Sequence, residues 1–222
     1  KCKQAETLAL YRRALPICEK VLSEEHPDTA TSYHNLAICL HSQGKHTEAL
    51  PLFRRALAIR QKVLGEEHPD TATSYNNVAG CLDALGRSPE ALPLHQNGLR
   101  IRLKSLGENH SATATSYNNL AACLDYQGKS SEALPLFEKA LSIRLNLGGE
   151  NHPDLAQSYN NVAACLHAQG KTSEAVPRFQ KALALWQKVL PMYHPSSAAA
   201  THNLAFCLHS LGKLSEALPL YQ

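Results

Sequence analysis

The chain has 222 residues, of which 44% are hydrophobic, and a formal net charge of +3. This apolar content is ordinary for a folded protein, and a charge so small and dispersed does not indicate a nucleic-acid-binding surface. The sequence lacks the run of about 18 apolar residues that a membrane helix requires, so we expect no membrane partner. The first residue is Lys1 rather than Met and no signal peptide is visible, which suggests a fragment or a processed form.

An internal repeat of 42 residues dominates the sequence. Cysteines and glycines recur at this interval, at Cys39, Cys81, Cys123, Cys165 and Cys207 and at Gly44, Gly86, Gly128, Gly170 and Gly212. A fixed period between about 20 and 50 residues is typical of stacked repeat arrays. We therefore predict a single array over residues 1–222, with a partial repeat (1–25), four full repeats (26–67, 68–109, 110–151 and 152–193) and a truncated repeat (194–222).

The partial repeat aligns with the second half of a full repeat, because residues 13–15 match residues 55–57. It predicts one helix that lacks its usual first-helix partner. At the other end the last helix is short, so Leu204 and Leu208 should lose part of their cover. We expect an apolar patch at each end, and with it weak, concentration-dependent end-to-end self-association.

Each full repeat opens with one predicted helix, which is clearest in the second copy. Tyr75, Val78, Ala79 and Leu82 are spaced at i, i+3, i+4 and i+7, which places them on one apolar face. Gly86 should end this helix, because glycine enters the left-handed cap conformation without steric strain.

The second half of each repeat predicts another helix. In the third copy Ser130 is the expected N-cap, and Glu132 lies in the first turn, where the helix dipole favours negative charge. Pro135 lies so near the start that the helix should continue past it with a slight bend. Two such antiparallel helices can bury their apolar faces only against neighbouring repeats, so the predicted fold class is an all-α solenoid.

The repeats resemble the tetratricopeptide repeat (TPR), on the residues Asn161-Val162-Ala163, Leu166, Gly170, Ala175, Phe179 and Ala182. The longer period, with His-Pro-Asp before the first helix and Glu-Ala-Leu-Pro-Leu in the second, is similar to the repeats of kinesin light chains. The resemblance implies a right-handed superhelical solenoid of antiparallel helix pairs. It also implies a concave groove that holds a protein or peptide.

A row of asparagines follows one side of the first helices, at Asn35, Asn77, Asn119, Asn161 and Asn203. Asparagine is a poor helix former, so a regular row needs a reason. One reason is a structural ladder in which each amide bonds a neighbouring helix. The other is a clamp in which the amides bind the backbone of an extended peptide. The resemblance favours the clamp, because asparagines at this place hold bound peptides in such proteins.

Positions around the asparagine row vary between repeats, whereas core positions barely change. A surface that faces a non-repeating ligand would vary in this way, and so would an unconstrained solvated face. The residues predicted to line the peptide-binding groove are Asn35, Asn76, Asn77, Asn118, Asn119, Asp125, Tyr126, Asn160, Asn161, His167 and Asn203.

Two further sets of charged or titratable residues lie near the predicted groove. Histidines near its ends should gain charge towards pH 5 and strengthen the binding of acidic peptides; they are His34, His41, His167, His202 and His209. Arg60, Arg102 and Arg144 end the apolar faces of second helices. They either bond helix-end carbonyls or an acidic residue of the next repeat, or they reach the groove and attract acidic peptides.

The sequence predicts neither an enzyme nor a cofactor, because it contains no GxxxxGK[ST], GxGxxG, GxSxG or HExxH motif. The phased cysteines should be buried free thiols, which favour a reducing compartment and hence a cytoplasmic location. The phased histidines, His152 among them, are expected in connectors. His34 and His41 are two turns apart, about 10 Å, so no metal site is predicted.

The sequence therefore predicts a scaffold that binds a protein or an extended peptide in the groove. The alternative is an architectural or self-assembling repeat array without a groove ligand. Binding to a library of unstructured peptides would separate the two.

Overall fold

The computed structural model describes residues 2–148, 153–189 and 194–221. Within these ranges the chain forms eleven helices and no strand, which confirms the predicted all-α class. The helices are α1 (Cys2–Leu22), α2 (Pro27–Ser42), α3 (His46–Leu64), α4 (Pro69–Ala84), α5 (Ser88–Leu106), α6 (Ser111–Tyr126), α7 (Ser130–Asn146), α8 (Pro153–Ala168), α9 (Thr172–Val189), α10 (Pro195–Ser210) and α11 (Leu214–Tyr221). Each repeat from residue 26 onward therefore supplies a first and a second helix joined by a short turn, and the partial repeat supplies α1 alone.

A histidine caps the first helix of a repeat. His68 Nδ1 accepts a hydrogen bond from the backbone N–H of Asp70 at 3.1 Å, and Pro69 follows as the first helical residue, where its missing N–H costs nothing. The same capping bond is made by His26, His110 and His194. His152 lies outside the described residues. The sequence did not predict this role, because Ser, Thr, Asp and Asn are the usual N-caps.

The turn between the paired helices forms as predicted at its glycine. Helix α4 ends at Ala84, and Gly86 has a φ of 72°, in the left-handed region. Its N–H donates to the carbonyl of Asp83 at 2.9 Å, which satisfies an acceptor at the helix end. The predicted role of Gly86 is confirmed.

The second helices begin differently from the prediction. Ser130 is not the N-cap: Lys129 occupies that position without a side-chain bond. Ser130 is the first helical residue, and its hydroxyl donates to Asp125 Oδ1 at 2.5 Å. The turn is so short that the serine bonds the end of the preceding helix instead of its own. Pro135 lies inside α7, which continues to Asn146 as predicted.

The core is built from small and aliphatic side chains on the facing sides of the helices. In α4, Val78, Ala79 and Leu82 are each at most 2% exposed. The phased cysteines are also buried and free of disulfides, as predicted for Cys39, Cys81, Cys123, Cys165 and Cys207.

The helices form two compact units, Lys1–Gly107 (unit 1) and Glu108–Gln222 (unit 2). Neither unit has a helix, within its described residues, that is long and apolar enough to cross a membrane. In unit 1 the apolar residues Leu10, Ile17 and Val21 form an exposed stripe on α1. In unit 2, Leu204 and Leu208 are only 4% and 2% exposed. The expected loss of their cover is therefore wrong, because the short α11 packs against α10.

Buried or half-buried arginines bond neighbouring helices within a unit. Arg60 Nη1 donates to Ser74 Oγ at 2.8 Å and to the carbonyl of Asp70 at 3.4 Å, both in the next first helix. Arg144 makes the equivalent two bonds in unit 2. Arg102 donates to Thr73 Oγ1 at 3.2 Å. Arg60 and Arg144 therefore bond the next repeat, which fits the structural interpretation, whereas Arg102 bonds the first helix of its own repeat.

Candidate functional site

An exposed stripe runs along each first helix. In α6 it consists of Thr115, Asn119, Ala122 and Tyr126, at i, i+4, i+7 and i+11, all half-buried or exposed. Ala121, on the opposite side of the same helix, is fully buried. We call these four positions, together with their equivalents in the other first helices, the first-helix stripe. It contains the predicted asparagine row.

Two asparagines of this row bond the neighbouring repeat. Asn161 Nδ2 donates to Asn118 Oδ1 at 2.8 Å, and Asn161 Oδ1 accepts from Gln157 Nε2 at 2.6 Å. In unit 1, Asn77 Nδ2 lies 3.3 Å from His34 Nδ1. Ladder bonds of the kind considered from the sequence are therefore present in both units, and they fix the orientation of these two amides.

The other asparagines of the row, Asn35, Asn119 and Asn203, are half-buried. Asn160, which lies beside the row, carries an Oδ1 atom that is buried and has no hydrogen-bond partner among the described residues. An unpaired buried amide oxygen is unfavourable by about 1–3 kcal/mol. This oxygen would gain a bond if the side chain turned outward to a donor.

Asn76 departs from the expected arrangement because its side chain turns inward. It is 6% exposed, and its Oδ1 lies 3.2 Å from Nδ1 of the buried His95. The other ring nitrogen of His95 is 2.9 Å from Asp83 Oδ2. Asn76 must leave this network before it can contact a ligand.

The glycine at position 98 makes room for that inward turn. An alanine Cβ there would lie 2.9 Å from Asn76 Nδ2, which is closer than packed atoms allow. Sequence reasoning missed this network, although comparison of the copies contains its signal. His95 stands where other copies have Phe53, Phe137 and Phe179, and Gly98 stands where they have Ala56, Ala140 and Ala182.

The remaining predicted residues border the stripe in unit 2. Tyr126 is 76% exposed. Asp125 is half-buried and held by Ser130. His167 Nδ1 lies 3.0 Å from Thr172 Oγ1, so the ends of α6 and α8 are each tied to the following helix. These side chains are presented in defined orientations.

Two histidines of unit 1, His34 and His41, have surroundings that oppose the positive charge expected at low pH. Burial, with a smaller effect from the nearby Arg60 charge, lowers the pKa of His34 to about 4. Burial and then the neighbouring His46 also lower the pKa of His41. His34 therefore stays mostly uncharged near pH 5, and the shift of His41 is in the same direction. The expectation that acidification to pH 5 charges the groove histidines is wrong for His34.

Comparison with known proteins identifies the family to which this fold corresponds. The family model described as tetratricopeptide repeat matches residues 3–62, 37–104, 84–146, 132–188 and 154–222. No curated protein sequence matches the chain. The tetratricopeptide repeat family provides protein-interaction scaffolds and is generally non-catalytic.

Solved structures agree with this match. A Podosopora anserina protein with nearly identical TPR-like repeats, described as kinesin light chain-like, is 31% identical, with a TM-score of 0.75 over 88% of this chain and 93% of its own. BtubC (BKLC) from P. vanneervenii is 22% identical, with a TM-score of 0.77 over 99% and 85%. Rap protein complexed with Competence and Sporulation Factor is 17% identical, with a TM-score of 0.73 over 97% and 62%.

The last two similarities show the fold alone, whereas the family model covers nearly the whole chain in overlapping matches. The fold is a TPR-like solenoid, and its repeats are of the kinesin-light-chain kind. The chain belongs to the tetratricopeptide repeat family.

Proposed function

We propose that the first-helix stripe of each unit binds an extended segment of a partner protein or peptide, and that its asparagine amides contact the segment's backbone. The observation that carries this proposal is the contrast between the two sides of the first helices. Buried positions such as Ala37, Ala79, Ala121, Ala163 and Ala205 are the same in every copy. On the exposed side, the equivalent positions hold Ile38, Gly80, Ala122, Ala164 and Phe206. The wide variation on the exposed side, from glycine to phenylalanine at one position, suits a surface that reads a non-repeating partner.

The ladder bonds support the clamp instead of competing with it. A carboxamide offers two N–H donors and two acceptor lone pairs, and the bond from Asn77 or Asn161 to the neighbouring repeat uses one N–H. Such a bond holds the side chain in one orientation, so less conformational entropy is lost when a peptide binds. The remaining donor and lone pairs can then meet a peptide group.

Large exposed apolar side chains on or beside the stripe provide anchoring contacts. Tyr126 is 76% exposed, Phe206 49% and Ile38 45%. Aromatic residues are enriched at protein interfaces, where they often dominate the binding energy. The proposed ligand therefore presents apolar side chains between the backbone groups that the asparagines bind.

The partner of a structural relative and the state of the cysteines also bear on this proposal. The Rap protein, a structural relative, is itself complexed with Competence and Sporulation Factor, which supports a partner-binding role for this chain. The free, buried cysteines suit a reducing compartment, so we place this interaction in the cytoplasm.

The test begins with peptides selected on the wild-type chain from a displayed library of unstructured sequences. Affinities are then measured for Asn119→Ala and Asn161→Ala, with Gln180→Ala, an exposed residue of the second helix α9, as the control. Loss of one net hydrogen bond is worth about 0.5–1.5 kcal/mol, so each asparagine change should weaken binding by about 2- to 12-fold. Unchanged affinity with a lowered melting temperature would assign the row to the fold alone.

The alternative, a self-assembling array, is favoured by one observation. Leu10, Ile17 and Val21 form an exposed apolar stripe on α1, of the kind that marks an interface. Sedimentation velocity at several concentrations tests it. Self-association that is lost in Ile17→Lys, without any selectable peptide ligand, would support this alternative over a groove scaffold.

A further inference from the structure

We propose that His41, His46 and Cys81 form a binding site for a zinc ion in unit 1. His41 is near the C-terminal end of α2, His46 is the first residue of α3, and Cys81 comes from α4 of the next repeat. One ligand atom from each residue lies within 4.8 Å of the other two. This donor set comprises two imidazoles and one thiol.

The distances suit a common ion after small side-chain movements. The two Nδ1 atoms are 2.9 Å apart, and the rings lie 4.6 Å apart between centroids. Zinc binds histidine nitrogen at about 2.0–2.1 Å and cysteine sulfur at about 2.3 Å, so ligand atoms of one tetrahedral ion lie roughly 3.3–3.6 Å apart. Shifts of about 1 Å or less would bring the three atoms to that spacing.

The proposed zinc site is buried on the side of Cys81 and partly open to solvent on the side of the two histidines. Cys81 is 0% exposed and the buried Phe53 ring lies 6.2 Å from His41, whereas both histidines are half-buried. Three protein ligands leave the fourth position to water or to a partner's side chain. The site therefore has the ligand number of an accessible zinc site.

The two burial effects on protonation act in opposite directions. Burial and then His46 lower the pKa of His41, which favours the neutral imidazole that coordinates a metal. Burial raises the pKa of Cys81, which disfavours the thiolate, and the nearby Arg54 charge opposes that rise. Without a metal the thiol donates to the His46 carbonyl at 3.2 Å. On binding, the thiol proton leaves to solvent and the thiolate sulfur coordinates the ion.

The same places in unit 2 lack this donor set. There Asp125, Ser130 and Cys165 have the same arrangement: the serine hydroxyl donates to the aspartate, and the cysteine thiol donates to the serine carbonyl at 3.2 Å. The framework thus belongs to the repeat, while the pair of histidines belongs to one copy, since His167, at the place of His41, is followed by Thr172 at the place of His46. Sequence spacing gave no indication of the site, because Cys81 lies 35 positions beyond His46.

The test uses the untagged, metal-stripped chain, titrated with Zn²⁺ against a chromophoric chelator and separately with Co²⁺. We expect one tight equivalent and a thiolate-to-cobalt charge-transfer absorption. His46→Ser, which installs the residue found at Ser88 and Ser130, should weaken binding by more than about 100-fold, since loss of a mere supporting contact costs 10–100-fold. Cys81→Ala should abolish the absorption, and Cys165→Ala should leave both readouts unchanged.

A gain-of-site variant completes the experiment. Asp125→His with Ser130→His should add a second equivalent, because Cys165 already occupies the third position. Absence of tight binding to the wild-type chain overturns the proposal. Binding that survives both His46→Ser and Cys81→Ala also overturns it, because the ion would then be held elsewhere.

Discussion

The network around His95 leads to a double-variant prediction. In Gly98→Ala the new Cβ would lie 2.9 Å from Asn76 Nδ2 and 3.0 Å from its Cγ and Oδ1. The amide must move and break its contact with His95 Nδ1. Overpacking costs about 1–3 kcal/mol, and removing a mid-helix glycine returns about 0.5–1 kcal/mol. We expect a net loss of about 0.5–2 kcal/mol in the free energy of unfolding.

His95→Phe alone should also destabilise unit 1. It removes the partner of Asp83 Oδ2, whose carboxylate already has a buried, unpaired Oδ1 among the described residues. It also breaks the contact of His95 with the Asn76 amide, and a buried carboxylate oxygen left unpaired costs about 1–3 kcal/mol. The change on its own therefore leaves Asp83 Oδ2 without its His95 partner.

The double variant His95→Phe/Gly98→Ala should be far less destabilised than the sum of the two. It reproduces the third copy, in which Phe137 and Ala140 accompany a half-buried Asn118. Asn76 can then turn outward as Asn118 does, and Asp83 can accept from Ser88 as Asp125 accepts from Ser130. Contacting residues typically couple by 0.5–3 kcal/mol, and we expect at least about 1 kcal/mol here.

Urea unfolding followed by far-UV circular dichroism measures the three variants. Because repeat arrays need not unfold in one step, amide hydrogen exchange in α4 and α5 gives the local readout. Effects that add within about 0.5 kcal/mol would refute the network. So would a Gly98→Ala variant that is more stable than the wild type.

Two further predictions concern histidines. The lowered pKa of His34, about 4 against an ordinary 6.5, means that the unfolded chain binds a proton below pH 6.5 while the folded chain does not. Stability should therefore fall as pH decreases from about 6.5 to 4, by less than the roughly 3 kcal/mol of the full shift, because solvent screens this half-buried group. His34→Asn should reduce that fall in urea titrations at several pH values; an identical pH profile would contradict the assignment. His68→Ala removes a helix cap and should cost about 1 kcal/mol, whereas His68→Asn, which keeps an acceptor, should cost less; equal losses in thermal unfolding would argue against capping.

Much of the fold was predictable because each sequence feature recurs in several copies of the repeat. The period located the helix pairs, Gly86 located the turn, and the apolar spacing in α4 identified the core. Ser130 was assigned wrongly as an N-cap because local preference cannot show that Asp125, five residues earlier, offers a closer acceptor. The capping histidines were missed for a similar reason, since imidazole is not among the usual caps.

Less of the candidate site could be predicted from the sequence. Spacing placed the asparagines on one side of the first helices, but it could not show that Asn76 turns inward while Asn118 does not. That difference depends on His95 and Gly98, residues of the following helix. The ligands of the proposed zinc site are likewise brought together only by packing between successive repeats.

Photocrosslinking tests the central claim, that the first-helix stripe holds the ligand, most directly. A photoreactive phenylalanine analogue replaces Tyr126 on the stripe or, as a control, Glu138 on the exposed side of the second helix α7. The chain is illuminated with a peptide selected on the wild type. The account predicts crosslinks from position 126 and few from position 138. Crosslinks predominantly from position 138, or equally from both, would contradict it.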